Sequence, residues 1–193
     1  MGQRTQLLVR LHNENGETKF STILHYQWGF GRVMVMDALN LVIQFPFYLD
    51  LGIHNNAFGK GYEEAYYKWL GQKSDGRNYA GVIEDFEKYN VSKEFAYHAT
   101  EDDLWKCDNN DGFMILDVFL GSLRVERSTI SFFAYDLKKS HYALKQVSFE
   151  DYCKMSDSNS YTTSDFRKGW KLLAKNYGVE LLEPKRLKEV VNS

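Results

Sequence analysis

Two stretches of alternating residues near the N-terminus constrain the fold most strongly. In residues 5–12 the side chains of Leu7, Val9 and Leu11 fall on one face of an extended strand, and residues 18–27 alternate in the same way. The linker between them contains Asn15-Gly16, a pair that tight hairpin turns favour because their central residues need positive φ. The sequence therefore predicts an antiparallel hairpin over about residues 5–27.

A second hairpin is predicted over about residues 113–136. Residues 113–120 are an apolar run, and residues 129–136 are rich in aromatic and β-branched side chains. The charged residues 124–127 between them indicate a turn, and the polar stretch 108–112 ends in a glycine just before the first strand. A weaker extended segment follows at about residues 141–147.

Residues 30–45 predict a largely apolar helix of about four turns, which Pro46 is expected to end. Its polar residues are Asp37, Asn40 and Gln44, which form one narrow stripe. This stripe is interpreted either as solvent-facing or hydrogen-bonded, or as a polar site within the helix. Further helices are predicted over residues 62–70 and 79–89, and others begin near Thr100 and Ser148. The last runs from about residue 162 to residue 177, before a capping Gly178. Its predicted buried face consists of Phe166, Trp170, Leu173 and Ala174.

These elements predict an α+β fold, because the strands do not alternate with single crossover helices. The expected architecture is an antiparallel sheet, built from two hairpins (residues about 5–27 and 113–136) and packed by several helices. Hydrophobic residues make up 44% of the chain and charged residues 26%, which is ordinary globular usage. We expect one domain over residues 1–193, with residues 179–193 as a peripheral C-terminal segment.

The net charge and the cysteine content limit the expected partners and the expected cellular compartment. A net charge of −2 argues against the basic field of a nucleic-acid-binding protein, so direct nucleic acid binding is not expected. The basic C-terminal run is interpreted as a solvated helix face: Arg167, Lys168, Lys171, Lys175, Lys185, Arg186 and Lys188. Cys107 and Cys153 lack CxxC spacing, which favours free thiols in a reducing compartment. Without a predicted signal peptide or membrane span, the expected location is the cytoplasm, with no membrane partner.

The junction between the first hairpin and the first helix carries the candidate site. Backbone amides at Gly29 and Gly31 would point at an anion, and nearby basic side chains would suit a phosphate or carboxylate. The candidate ligand- or anion-binding residues are Arg4, His25, Trp28, Gly29, Gly31 and Arg32. The alternative interpretation is a tight strand-to-helix turn that needs two glycines and uses Trp28 as an anchor.

The sequence assigns no catalytic residue, no metal site and no cofactor. The five histidines form neither HxH nor HExxH spacing, and no Gly-x-Ser-x-Gly elbow occurs. Aromatic residues are frequent, at 16%. They fit either an aromatic-rich core or a surface that faces a partner.

Three motifs resemble small proteins of unknown function from phages and integrated mobile elements. The chain begins Met1-Gly2-Gln3-Arg4-Thr5, then carries His25-Tyr26-Gln27-Trp28-Gly29 at a strand-to-helix turn, and has the 108–112 turn before a strand. It departs from the commoner version of that family in having Tyr26-Gln27-Trp28 instead of Trp-Asp-Gly-Tyr. The resemblance covers mainly residues 1–45 and about 107–120. It implies an accessory protein of a bacterial virus that works in the host cytoplasm.

Two functional hypotheses follow. The first is an accessory protein that binds a host protein, such as an inhibitor of a bacterial defence system of the CRISPR–Cas nuclease kind. It depends on the aromatic content, the small net charge and the resemblance. The second is an enzyme or binding module for a phosphate or nucleotide ligand, in which Arg4, His25 and Arg32 surround the Gly29–Gly31 turn. The sequence favours a protein that is not an enzyme but leaves the question open.

Overall fold

The computed structural model describes residues 5–26, 33–54, 99–107, 112–121, 124–135, 144–155 and 163–184. In this part of the chain the strands are β1 (Thr5–His12), β2 (Thr18–Tyr26), β3 (Phe113–Leu120), β4 (Val125–Tyr135), β5 (Leu144–Val147) and β6 (Val179–Leu182). The helices are α1 (Val33–His54), α2 (Glu101–Lys106), α3 (Phe149–Met155) and α4 (Ser164–Asn176). The fold is α+β, as the sequence predicts.

All six strands belong to one sheet with the order β2-β1-β3-β4-β5, and β6 also pairs with β4. Both predicted hairpins are present, since β1 pairs antiparallel with β2 and β3 pairs antiparallel with β4. The prediction of a purely antiparallel sheet is wrong, because β1–β3 and β4–β6 are parallel pairs. Alternation along a strand fixes which face is buried but not the direction of the neighbouring strand. The long connection from β2 to β3 allows the crossover that a parallel pair needs.

The turn of the first hairpin differs from the two-residue turn that Asn15-Gly16 suggested. The Gly16 amide donates to the Asn13 carbonyl, and the Asn13 amide donates to the Glu17 carbonyl, both at 2.9 Å. This pattern fits the three-residue loop in which a type I turn is followed by one left-handed residue, here Gly16 with φ of +80°. The Asn13 side chain accepts the amides of Asn15 and Glu17, so the turn is held from inside.

The first face of the sheet, which carries Leu7, Val9 and Leu11, forms the main core with α1, α3 and α4. Trp170 of α4 lies at its centre, stacked on Phe149 of α3 at 4.4 Å between ring centroids and edge-on to Phe132 of β4. Its indole nitrogen donates to the Val35 carbonyl of α1 at 2.9 Å. One side chain thereby joins three helices and the sheet.

Helix α1 extends beyond its predicted end and includes Pro46. Proline removes one backbone hydrogen bond from a helix interior and disfavours helical angles in the residue before it. Phe45, the residue before it, is fully buried in the core, and burial of this kind offsets the local cost of the proline. The polar stripe of α1 is not solvent-facing, since Asp37 is buried and Asn40 and Gln44 are half-buried. Among the described residues, the Gln44 side-chain oxygen has no hydrogen-bond partner.

Helix α4 confirms the last predicted helix, with Thr163 as its N-cap and Gly178 (φ +68°) just after it. Trp170 and Ala174 are buried as predicted and Phe166 is half-buried, but Leu173 is exposed, so its place in the predicted buried face is wrong. Residues 179–182 form β6 beside β4. The tail after residue 184, with the last three basic residues of the C-terminal run, lies outside the described residues.

The predicted helix starts are confirmed at two sites. The Thr100 hydroxyl accepts the Asp103 amide and the Asp103 carboxylate accepts the Thr100 amide, which is a capping box. The Ser148 hydroxyl accepts the Asp151 amide at the start of α3.

Strand β4 begins at Val125, so most of the charged stretch predicted as a turn is strand. Gly112 (φ +85°) precedes β3, and a Cβ there would collide with the Phe133 carbonyl. The predicted helices at 62–70 and 79–89 lie outside the described residues.

The second face of the sheet carries a smaller apolar cluster that includes Leu8, Ile23 and Ile115 and is covered by α2. The edge strand β2 is tied to the segment before α2, since the Ser21 hydroxyl donates to the Ala99 carbonyl at 2.6 Å. No helix among the described residues is long and apolar enough to span a membrane.

Candidate functional site

The parallel pairing of β1 and β3 brings the carboxyl ends of both strands to the same end of the sheet. His12 lies beside Phe119 in this register, and Arg10 lies beside Asp117. Each strand then turns back into its hairpin, so the two hairpin turns stand side by side. An antiparallel β1–β3 pair would have placed the two turns at opposite ends.

A charged pair fixes this end of the second face. Arg10 donates to both carboxylate oxygens of Asp117, from Nε at 2.6 Å and from Nη2 at 2.9 Å. Its remaining Nη1 donates to Glu101 of α2 at 2.7 Å. A guanidinium that holds a carboxylate through two hydrogen bonds has a defined orientation. Arg10 therefore links β1, β3 and α2 in one geometry.

His12 extends the network on the same carboxylate. Its Nε2 lies 2.6 Å from Asp117 Oδ1, and its Nδ1 lies 3.2 Å from the Thr18 hydroxyl of β2. An ionised carboxylate only accepts hydrogen bonds, so Nε2 carries the proton that points to Asp117. His12 is nearly buried, and its ring orientation is fixed by partners on both nitrogens.

The His12 ring also belongs to a stack with an aromatic ring and a guanidinium group. The His12 ring stacks on Phe119 at 4.5 Å between centroids with 15° between planes. The Arg127 guanidinium of β4 lies over the Phe119 ring at 4.2 Å. Thr18, His12, Phe119 and Arg127 thus form one row across four neighbouring strands. Both ends of the row, Thr18 and Arg127, are exposed.

A cleft of about 590 Å³ opens next to this row, between the two hairpin turns. Its walls are mainly polar and carry both signs of charge. They are formed by Asn13, Glu14, Asn15, Gly16, Phe119, Leu120, Gly121, Glu126 and Arg127. A Cβ at Gly121 would meet the exposed side chain of Glu126, so a larger residue in this wall would displace that carboxylate.

The charges of the network hold each other in the ionised form. Burial raises the pKa of the Asp117 carboxyl, but the hydrogen bonds from His12 and Arg10 and their charges outweigh burial, so this pKa lies below its ordinary value. Burial likewise lowers the pKa of Arg10, yet Asp117 and Glu101 raise it above its ordinary value overall. Both partners of the central pair are therefore charged at neutral pH.

The hydroxyl–imidazole–carboxylate order of Thr18, His12 and Asp117 has the connectivity of a catalytic triad. In such triads the carboxylate stabilises the imidazolium that forms during proton transfer. Here the Asp117 carboxylate is shared, because Arg10 donates to both of its oxygens and His12 contacts one of them. The arrangement supports a rigid network better than nucleophilic catalysis.

The cysteines of the described residues are free thiols, as the sequence predicts. Burial raises the pKa of Cys153 to about 12, which keeps it protonated and unreactive at neutral pH. Among the residues that the structure describes, no group of three or more His, Cys, Asp or Glu side chains could hold a metal ion.

Most of the sequence-predicted anion site lies outside the part of the chain that the structure describes. Arg4, Trp28, Gly29, Gly31 and Arg32 lie outside the described residues, and His25 is described only as a backbone position of β2 opposite Gln6. The phosphate-binding hypothesis therefore stays a prediction.

The network around Asp117 was missed by the sequence reasoning. One signal was present: Asp117 is the only charged residue in the otherwise apolar strand 113–120, and Arg10 and His12 lie on the polar side of β1. A buried carboxylate needs a partner, and these two side chains were available to pair with it. No family model, curated protein or solved structure matches this chain.

Proposed function

We propose that this chain acts by binding another protein through the end of the second face, around Phe119, Arg127 and the adjoining cleft. The observation that carries the proposal is the row in which His12, Phe119 and Arg127 stack at the mouth of a 590 Å³ cleft. Arginine and aromatic side chains are the residues that most often dominate binding at protein interfaces.

The network beneath the row supports this interpretation. Ordering a long side chain on binding costs about 0.5–1.5 kcal/mol, and a surface that is already ordered avoids part of that cost. Phe119 is held between His12 and Arg127, and His12 is in turn fixed by Asp117 and Thr18. The contact surface is therefore organised before a partner arrives.

The cleft suits a polar side chain or a tight turn of a partner. Its volume lies within the range of about 300–1,000 Å³ that is usual for binding pockets. Glu14 and Glu126 offer carboxylates at its walls, and Arg127 offers a guanidinium. A partner group that carries both a donor and an acceptor would satisfy both signs of charge.

A host protein of the bacterial defence machinery is the partner class that we propose. The resemblance to phage and mobile-element proteins points to this class, and an inhibitor of a CRISPR–Cas nuclease is its most direct form. Such an inhibitor works by occupying a surface of the nuclease, which requires a rigid contact surface on the inhibitor and no chemistry of its own.

The experiment mixes the purified chain with a panel of CRISPR–Cas nucleases and measures complex formation and target cleavage. We expect a stable complex with at least one nuclease and loss of its cleavage activity. Arg127→Ala should weaken this complex by about tenfold or more, because an exposed arginine at the centre of an interface commonly carries that much binding energy.

The matched control is Lys154→Ala, which removes an exposed cation from α3, a helix that packs on the first face. This variant should bind and inhibit like the unchanged chain. Absence of binding and inhibition across the panel would contradict the defence-nuclease proposal. A complex that Arg127→Ala leaves intact would show that the end of the second face is not the contact surface.

A further inference from the structure

Among the arginines that the structure describes, Arg127 is the one without a carboxylate partner. Each of the others pairs with one or two carboxylates: Arg10 with Asp117 and Glu101, Arg124 with Glu126, and Arg167 with Glu150. Arg127 is nevertheless held in place, because its guanidinium carbon lies 4.2 Å from the centre of the Phe119 ring. An arginine that is both positioned and unpaired has donors to offer to a ligand.

The contact with Phe119 leaves those donors available. It is an attraction between the charge of the guanidinium and the ring, so it uses none of the N–H groups that bind a carboxylate. The Arg127 side chain is exposed at the wall of the cleft, where a partner group can reach it. The N–H groups of a guanidinium form a planar fork that matches the two oxygens of a carboxylate.

We infer that the partner binds Arg127 through the carboxylate of an aspartate or glutamate side chain that enters the cleft, an inference that rests on the proposed function. Two parallel hydrogen bonds from the fork fix the direction of approach as well as the distance. The stack of His12, Phe119 and Arg127 aims that fork before binding. The carboxylate thus meets a donor that needs little further ordering.

The other charges of the cleft favour a single carboxylate over a polyanion such as a nucleic acid. Glu14 and Glu126 line the same cleft as Arg127. Glu126 is paired with Arg124 at 3.0 Å, whereas Glu14 has no ion pair among the described residues. A nucleic acid would bring a phosphate at every nucleotide towards these carboxylates, and like charges repel. One side-chain carboxylate reaches Arg127 without adding further negative charge near Glu14.

The first measurement uses the full chain and two short peptides, acetyl-Gly-Glu-Gly-amide and acetyl-Gly-Gln-Gly-amide. Nuclear magnetic resonance follows the side-chain N–H of Arg127 and the backbone amides of Gly16 and Gly121, which line the cleft. One exposed ion pair binds weakly, so each peptide is added up to about 100 mM at constant ionic strength. The glutamate peptide should shift these signals about threefold more than the glutamine peptide, because only a carboxylate accepts both bonds of the fork.

Equal shifts with the two peptides overturn the inference. Inorganic phosphate serves as a third probe, and stronger binding of phosphate than of the glutamate peptide also overturns it, in favour of a phosphate group.

Two variants should move the binding of the glutamate peptide in opposite directions. Arg127→Met keeps a long side chain beside Phe119 but removes the charge, so the difference between the peptides should disappear. Glu14→Gln removes a like charge from the cleft wall and should strengthen binding by about twofold, which a misfolded variant cannot do. Lys154→Met removes an exposed cation of α3 and is the control, with no expected change. A preference that survives Arg127→Met overturns the inference, as does weaker binding by Glu14→Gln.

The complex with a nuclease of the panel separates the carboxylate from the proposed function. Arg127→Lys keeps the charge without the fork, and Arg127→Met keeps neither, so affinity should fall in that order and by about tenfold or more for the methionine variant. A complex that Arg127→Ala weakens and Arg127→Met preserves overturns the inference and leaves the proposed function in place. Absence of any nuclease complex contradicts the proposed function, while the peptide comparison still decides whether the cleft takes a carboxylate.

Discussion

The two faces of the sheet bury side chains by different physical means. The first face packs large apolar residues from α1, α3 and α4 against the strands, around Trp170 and Phe132. The second face combines a small apolar cluster with the network of Arg10, His12 and Asp117. Apolar burial stabilises in proportion to area, whereas a buried charge is tolerable only while its partners remain. The first face thus supplies stability, and the second face fixes the geometry of the exposed Arg127 row.

The largest loss of stability is expected when the large buried side chain of Trp170 is removed from the first face. Trp170→Ala should lower the free energy of unfolding by about 3–5 kcal/mol, because it leaves a cavity beside Phe149 and removes the hydrogen bond to Val35. Urea denaturation followed by circular dichroism measures the change. Leu172→Ala on the exposed side of the same helix is the control and should change it by about 0.5 kcal/mol or less. Equal losses would show that α4 does not depend on its buried anchor.

A smaller loss is expected from the charged network of the second face. Asp117→Asn should cost about 2–3 kcal/mol, because Arg10 and His12 lose the charge that they both contact, although partial exposure of Arg10 reduces the loss. In a double-mutant cycle with Arg10→Met, the double variant should be more stable than the sum of the single losses predicts. Additive losses would contradict direct coupling between the two side chains.

Removing the N-cap hydroxyl of α2 or of α4 compares the two faces by the stability that one capping side chain contributes. Thr100→Ala should cost about 1–2 kcal/mol, because the Thr100 hydroxyl also donates to the buried Asp103 carboxylate at 2.6 Å. Thr163→Ala should cost about 0.5–1 kcal/mol, because within the described part of the chain its hydroxyl accepts the Phe166 amide alone and Trp170 anchors the helix separately. The same denaturation measurement ranks the two. The reverse order would mean that α2 depends little on its cap.

The smallest expected effect is a difference between the two faces in how their contribution to stability depends on pH. The pKa of Asp117 is lowered in the folded chain, so its ionised form contributes stability that is fully present above the unfolded-state pKa. That contribution is lost as the pH falls through the folded-state pKa. The stability difference between the unchanged chain and Asp117→Asn should therefore be largest near pH 7 and shrink below about pH 4. The loss in Trp170→Ala should shrink much less over the same titration, and a similar shrinkage would contradict the assignment.

The elements that local patterns specify were predictable. Alternation marked β1 and β2, and hydroxyl caps marked the starts of α2, α3 and α4. Two of the errors share one cause, which is that residues distant in the sequence decided the outcome. Helix α1 continues through Pro46 next to Phe45, whose burial in the core offsets the cost of the proline. Strands β1 and β3 pair in parallel, which the long connection from β2 to β3 allows. The network was hidden for the same reason, since Arg10 and Asp117 are 107 residues apart and become neighbours only through that pairing.

The parallel β1–β3 pair also sets the order in which the chain can fold. The hairpin of β1 and β2 is complete early in synthesis, but the inner edge of β1 stays unpaired until β3 has been made. Contacts across so long a stretch of chain must first offset a large loss of loop entropy, which slows folding. During that interval the hairpin presents an open strand edge and an apolar face, the two features that promote aggregation of nascent chains. Strand β3 carries Phe119 of the proposed contact surface. Its pairing with β1 therefore also ends the period in which the hairpin is prone to aggregation.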